Sequence, residues 1–150
     1  MADKYAASDT TALDSTPDTC LGLQSSTGTR GRLYDIIVGC AGTPADIAVD
    51  WKVKQGDGTG AGTGTALTEV KLDPASPVPQ IAALGNYSAE PTNYGEPMLE
   101  FGLNLRATFR WVAAPGGEIV IPATANAVLG ALPAHASSTT EVGCTMHWEE

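Results

Sequence analysis

The stretch EVGCTMHWE, residues 141–149, alternates apolar and polar side chains without a break. Successive side chains of a β-strand point to opposite faces of a sheet, so this alternation predicts a strand with one buried face. The same pattern occurs in IAVDWKVK, residues 47–54, and in ATFRW, residues 107–111. The side chains predicted to face inward are Ile47, Val49, Trp51, Val53, Ala107, Phe109, Trp111, Val142, Cys144, Met146 and Trp148.

Turn residues separate these runs from other short apolar segments. Seventeen glycines and ten prolines are spread along the chain. The run LYDIIVGC, residues 33–40, is apolar on both faces, as expected of a central strand. Only PVPQIAAL, residues 77–84, is predicted to form a helical turn, ended by Gly85-Asn86. The sequence therefore predicts an all-β fold, an antiparallel β-sandwich of about eight or nine strands.

Two segments lack this periodicity. Residues 1–19 are small and polar, and are predicted to form an irregular N-terminal arm preceding a single β-sandwich domain over residues 20–150. If so, deletion of residues 1–15 leaves a folded protein. The segment GDGTGAGTGT, residues 56–65, is predicted to be a flexible loop between strands.

Composition excludes several classes of protein. A chain of 150 residues with a net charge of −9 repels nucleic acid, and no local basic patch offsets this charge. The three cysteines lack C-x-x-C spacing, which favours free thiols in a reducing cytoplasm over a disulfide framework. No apolar run has the length of a signal peptide core or a membrane span, so no membrane association is expected.

No group of residues predicts catalysis, and the protein is not expected to be an enzyme. Gly56, Gly58 and Ala61 match a dinucleotide-binding fingerprint loosely, but a strand follows them where that mechanism needs a helix. The two histidines, His135 and His147, are predicted to be solvated. The glutamates at positions 90, 96 and 100 read as exposed loop acids. We therefore expect no catalytic residue, no cofactor and no metal site.

Aromatic residues suggest where a partner binds. The three tryptophans are predicted to lie in the core, in preference to forming an exposed platform for carbohydrate. The residues predicted to contact a partner are Tyr5 and Leu13 in the arm, and Tyr87, Glu90 and Tyr94 in a later loop.

Four motifs follow one another along the chain: LDPA at 72–75, GNYSAEPT at 85–92, FRWVAAPGGE at 109–118 and MHWEE at 146–150. This succession resembles small virion proteins of tailed bacteriophages, of the capsid cement or decoration type, and the resemblance covers about residues 30 to 150. The resemblance implies a jelly-roll-like sandwich that binds the major capsid protein as a homotrimer, on the capsid surface of a virion made in the host cytoplasm. The alternatives are a tail, neck or head-fibre component, and a carbohydrate-binding β-sandwich module.

Overall fold

The computed structural model describes residues 2–150, which form β-strands and no helix. This confirms the all-β prediction. The twelve strands are β1 (Lys4–Ala12), β2 (Leu21–Gln24), β3 (Gly31–Cys40), β4 (Ala48–Gln55), β5 (Thr63–Ala66), β6 (Val70–Lys71), β7 (Ala82–Ala89), β8 (Leu99–Asn104), β9 (Phe109–Val112), β10 (Ile119–Ile121), β11 (Val128–Ala134) and β12 (Glu141–Glu149).

The strands form two six-stranded sheets, and all their pairings are antiparallel. Sheet A has the order β10–β3–β12–β1–β6, and β9 also pairs with β3. Sheet B has the order β5–β7–β2–β11–β4–β8. The architecture is that of a β-sandwich with twelve strands where eight or nine were predicted. The additional strands are short or consist largely of Ala, Ser, Thr and Gly, which give little hydrophobic alternation.

The core lies between the sheets, where the sequence pattern placed it. The inward residues of β12 (Val142, Cys144, Met146 and Trp148) are at most 3% exposed. Val49, Trp51 and Val53 of β4 are each 1% exposed. Trp111 is only partly buried and packs against the edge of the core. Two of the three tryptophans are therefore core residues, as predicted.

The segment predicted to be an irregular arm is instead a strand inside sheet A. β1 pairs with β12 along its whole length, from Lys4 opposite Glu149 to Ala12 opposite Glu141. Its other side pairs with β6. The prediction was wrong because Ala, Ser and Thr resemble a polar linker in composition. β12, whose apolar–polar alternation is strong, pairs with β1. A few apolar residues of β1 are then enough to anchor β1 in the core.

The predicted helical turn at 77–84 is also absent, and β7 occupies part of this segment. Ile81 and Ala83 are fully buried, and the alternation continues into Gly85. Pro79 disfavours helical backbone at the preceding residue, Val78, which leaves too few residues before Gly85 for a helix. Asn86, which was expected to end a helix, has φ of 43° and lies where the register between β5 and β7 shifts.

The three thiols are free, and their burial predicts different reactivities. Cys20 and Cys144 lie in the core, where burial raises the pKa of Cys20 to about 12 and raises that of Cys144 as well. Cys40 is partly exposed. Because only the thiolate attacks a disulfide reagent, we expect one fast-reacting thiol in the folded protein and three in denaturant. Titration with an aromatic disulfide near pH 8 measures this, and rapid reaction of Cys20 in the folded Cys40→Ser variant would contradict it.

Candidate functional site

Two segments that were predicted to contact a partner meet on one surface. Residues 13–19 follow β1, and residues 86–94 include the end of β7. Together they surround a pocket of about 330 Å³. We call this region the arm–loop surface. The pocket is lined by Thr11, Ala12, Leu13, Asp14, Asp18, Thr19, Asn86, Tyr87, Glu90 and Thr139.

Hydrogen bonds from Thr19 hold the two segments together. Its backbone N–H donates to Oε2 of Glu90 over 2.9 Å, and its hydroxyl lies 3.0 Å from the hydroxyl of Tyr94. Residues 92–94 are fixed in turn by the glycine-rich loop, where the N–H of Thr92 donates to the carbonyl of Gly60 over 2.9 Å. The glycine-rich segment is thus a hydrogen-bonded support for the arm–loop surface.

Two tyrosine rings cross the outer face of sheet B above a pair of glycines. Gly22 of β2 and Gly130 of β11 are directly opposite each other in the sheet. A Cβ atom on Gly22 would collide with the hydroxyl of Tyr87, and one on Gly130 would collide with the hydroxyl of Tyr94. The missing side chains therefore allow the loop to lie flat on the sheet.

This packing predicts that Gly130→Ala weakens the fold by about 1–3 kcal/mol, because the added methyl group displaces Tyr94 and breaks its contact with Thr19. Gly143→Ala, also within a strand, is the matched control, since the nearest atom to its Cβ position is 3.6 Å away, an ordinary contact. Urea unfolding of both variants measures the difference. An unchanged free energy of unfolding for Gly130→Ala would show that the loop is not packed on β11.

The five residues predicted to contact a partner fall into two groups, two buried in the core and three half-buried at the surface. Tyr5 and Leu13 are buried, at 1% and 2% exposure, and the prediction that their side chains meet a partner is wrong for the folded chain. Tyr5 packs on the ring of Trp148 and donates its hydroxyl to the carbonyl of Pro77 over 3.1 Å. Both residues anchor the segment around β1 in the core. An irregular arm would have no such anchors.

The other three residues, Tyr87, Glu90 and Tyr94, are half-buried on the arm–loop surface. Their polar groups lie against the chain itself: Glu90 and Tyr94 contact Thr19, and burial raises the pKa of both tyrosines well above the usual value. They shape the arm–loop surface. Contact of these residues with a partner stays a prediction.

The charge of the arm–loop surface comes from carboxylates that the sequence reading did not single out. Asp14 is exposed, and hydrogen bonds from Thr16 and Ser15 lower its pKa. The pKa of Asp18 is raised by burial and by the nearby charge of Asp14. With Glu90 they make the surface acidic.

A second polar cluster, on the outer face of sheet A, was missed. Asp35 of β3 is 2% exposed and accepts bonds from Nε (2.9 Å) and Nη2 (2.7 Å) of Arg110 in β9. Nδ1 of His147 lies 3.3 Å from its Oδ2 atom, so this histidine is not simply solvated. A single carboxylate inside the apolar run 33–40 was the available signal. Paired in this way, Asp35 is a satisfied buried ion.

A groove of about 470 Å³ runs beside this cluster. Its floor includes Gly39 and Gly143, which are opposite each other in the sheet, and Thr10, Thr108 and Thr145 also line it. Besides hydroxyl side chains and backbone, the groove is lined by Asp9 and by the thiol-bearing residues Cys40 and Cys144.

Residues 2–150 contain no group of three or more His, Cys, Asp or Glu side chains that could hold a metal ion. The glutamates of the loop region do not converge, because Glu90 bonds to Thr19 whereas Glu100 lies 3.2 Å from Nζ of Lys52. Within the same residues, no helix is long and apolar enough to span a membrane.

Comparison of the chain with protein-family models, curated proteins and solved structures gives no match.

Proposed function

We propose that this protein is a structural virion protein of a tailed bacteriophage, of the capsid cement or decoration type. It binds the major capsid protein on the capsid surface, stabilises the shell and carries out no chemistry. Jelly-roll connectivity and assembly in threes belong to the same proposal, since the motif resemblance implies both. The observation that carries the proposal is the arm–loop surface, where the motif AEPT (89–92) packs beside Thr19.

The positions of the other motifs in the fold support a structural role. LDPA (72–75) forms a turn after β6, in which Asp73 accepts a bond from the N–H of Ala75 over 2.9 Å. APGGE (114–118) forms the turn between β9 and β10, with Gly116 at φ of 81°. Both motifs form turns and so fix the shape of the surface, which is what a protein that works by binding needs. Neither motif suggests a catalytic group.

The acidity of the chain is consistent with this role. A protein present in many copies must stay soluble, and a net charge of −9 favours solubility. Weak contacts per copy become strong when linked copies bind together. The acidic arm–loop surface would then meet a basic region of the capsid protein.

Neutralising that surface is expected to weaken binding to phage heads. The double variant Asp14→Asn, Asp18→Asn removes two charges, and we expect about tenfold weaker binding with less dependence on salt. Asp46→Asn with Glu118→Gln removes the same charge elsewhere and is the control. Binding to purified heads, measured by pelleting at several salt concentrations, tests this. Equal weakening by both pairs would assign the effect to net charge and not to this surface.

Separating heads from tails decides between the proposal and its nearest alternative. An antibody against the protein should detect it in the head fraction of disrupted virions. Detection in the tail fraction would instead support a tail, neck or head-fibre component. The carbohydrate-binding alternative needs exposed aromatic side chains, and two of the three tryptophans, Trp51 and Trp148, are buried.

A further inference from the structure

Strand β8 is an open edge of sheet B. Among residues 2–150 it pairs only with β4, and its six residues keep one register from Ala48–Asn104 to Val53–Leu99. The strands at the other sheet edges (β5, β6, β9 and β10) are two to four residues long. A regular, unpaired edge offers a row of backbone donors and acceptors to another strand.

The register shows which groups are free. The N–H of Leu105 donates to the carbonyl of Ile47 over 2.9 Å, next to the Ala48–Asn104 end of the β8–β4 ladder. Hydrogen bonding alternates along an antiparallel pair, so the odd-numbered residues of β8 bond to β4. Glu100 and Gly102 therefore direct their backbone N–H and C=O groups away from the sheet.

We propose that β8 of one copy pairs antiparallel with β8 of a second copy, about a two-fold axis at Gly102. The sequence of β8 is self-complementary in this register. Glu100 faces the neutral Asn104 of the partner subunit, so no two carboxylates are directly opposite each other within β8; the nearest carboxylate behind Asn104 is Asp46, which accepts its Nδ2–H over 2.7 Å. Glu100 is also paired with Lys52, at 3.2 Å.

Packing favours the same arrangement on both faces of the strand. No atom lies within 4 Å of the Cβ position of Gly102, so the outer face is open at the axis. On the inner face, the half-buried Phe101 packs against the core and against Phe109, with ring centroids 4.2 Å apart. Pairing places Phe101 next to Leu103 of the partner subunit, which extends the apolar layer.

Pairing between identical strands is isologous and gives two-fold symmetry. This contact is therefore distinct from the three-fold assembly in the proposed function, and it would join copies from neighbouring trimers. Because each chain carries a net charge of −9, we expect the pairing to tighten as salt screens the repulsion between copies.

Gly102→Glu tests the pairing, because it places two carboxylates opposite each other at the axis. Gly102→Gln has the same shape without the charge and is the control. Sedimentation equilibrium of the full chain should show mass doubling with concentration for the wild type and Gly102→Gln. We expect association to be about tenfold weaker or more for Gly102→Glu. Urea unfolding checks that all three proteins are equally stable.

Two results would overturn the pairing. One is a wild-type mass that does not double up to about 1 mM protein, where even weak specific pairing is populated. The other is equal association of Gly102→Glu and Gly102→Gln in folded protein. Mass in free solution does not depend on capsid binding, so failure here is separate from failure of the proposed function.

Discussion

Deleting residues 1–15 is expected to abolish folding. The deletion removes β1, which lies between β12 and β6 in sheet A and pairs with nine residues of β12. It also removes Tyr5 and Leu13 from the core, each worth about 1.5–3 kcal/mol of burial. Without them the inner face of β12, including Trp148, is exposed to water. Circular dichroism and thermal melting of the truncated chain should show no cooperative transition.

The control for this truncation changes the outer face of β1 only. Ser8 and Thr10 are exposed, and their replacement by alanine should alter the free energy of unfolding by about 0.5 kcal/mol or less. A truncated protein that melts like the wild type would mean that β1 is a detachable arm, as its composition first suggested. Loss of capsid binding by a truncated chain that does not fold would say nothing about where the partner binds.

Trp148→Ala is expected to lower the free energy of unfolding by about 3–5 kcal/mol. The side chain is fully buried and packs on Tyr5, with ring centroids 5.8 Å apart. Its Nε1–H donates to Glu150 over 3.1 Å, and the same carboxylate accepts the N–H groups of Gln80 and Ile81. The substitution therefore opens a cavity and loosens the segment that leads into β7.

The matched control is Trp111→Ala, because Trp111 is only partly buried. We expect less than half the loss for this variant, since the transfer and cavity terms both scale with burial. Thermal melting should show a fall of about 10 °C for Trp148→Ala, and a smaller one for Trp111→Ala. Equal losses in the two variants would contradict the burial difference between these tryptophans.

How far the sequence predicted the fold depended on side-chain size. Strands β4 and β12 were predicted because bulky apolar residues such as Trp51 and Trp148 alternate with charged or polar ones. Strands β1 and β7 were missed because segments such as AASDTTA and AALGNYSA contain few large side chains. Such strands are specified by their neighbours in the sheet, and a local pattern does not contain that information.

The candidate site shows the same limit. The loop with Tyr87, Glu90 and Tyr94 was singled out from its aromatic residues, but its contact with Thr19 joins positions 71 residues apart or more. Asp35 and Arg110 are 75 residues apart. Local periodicity does not predict contacts between such distant residues. The role of Gly22 and Gly130, which is to leave room for two tyrosine rings, becomes visible only once β2 and β11 are known to pair.

The most direct test of the proposed function is co-sedimentation of the purified full chain with tailed-phage capsids from the source of the sequence, as the proposal requires. Binding should saturate at a fixed number of copies per major capsid protein, and bound capsids should resist heat or low salt better than bare ones. A protein that stays in the supernatant at concentrations that should saturate the capsid, or that pellets only with tails, would contradict a capsid cement or decoration role.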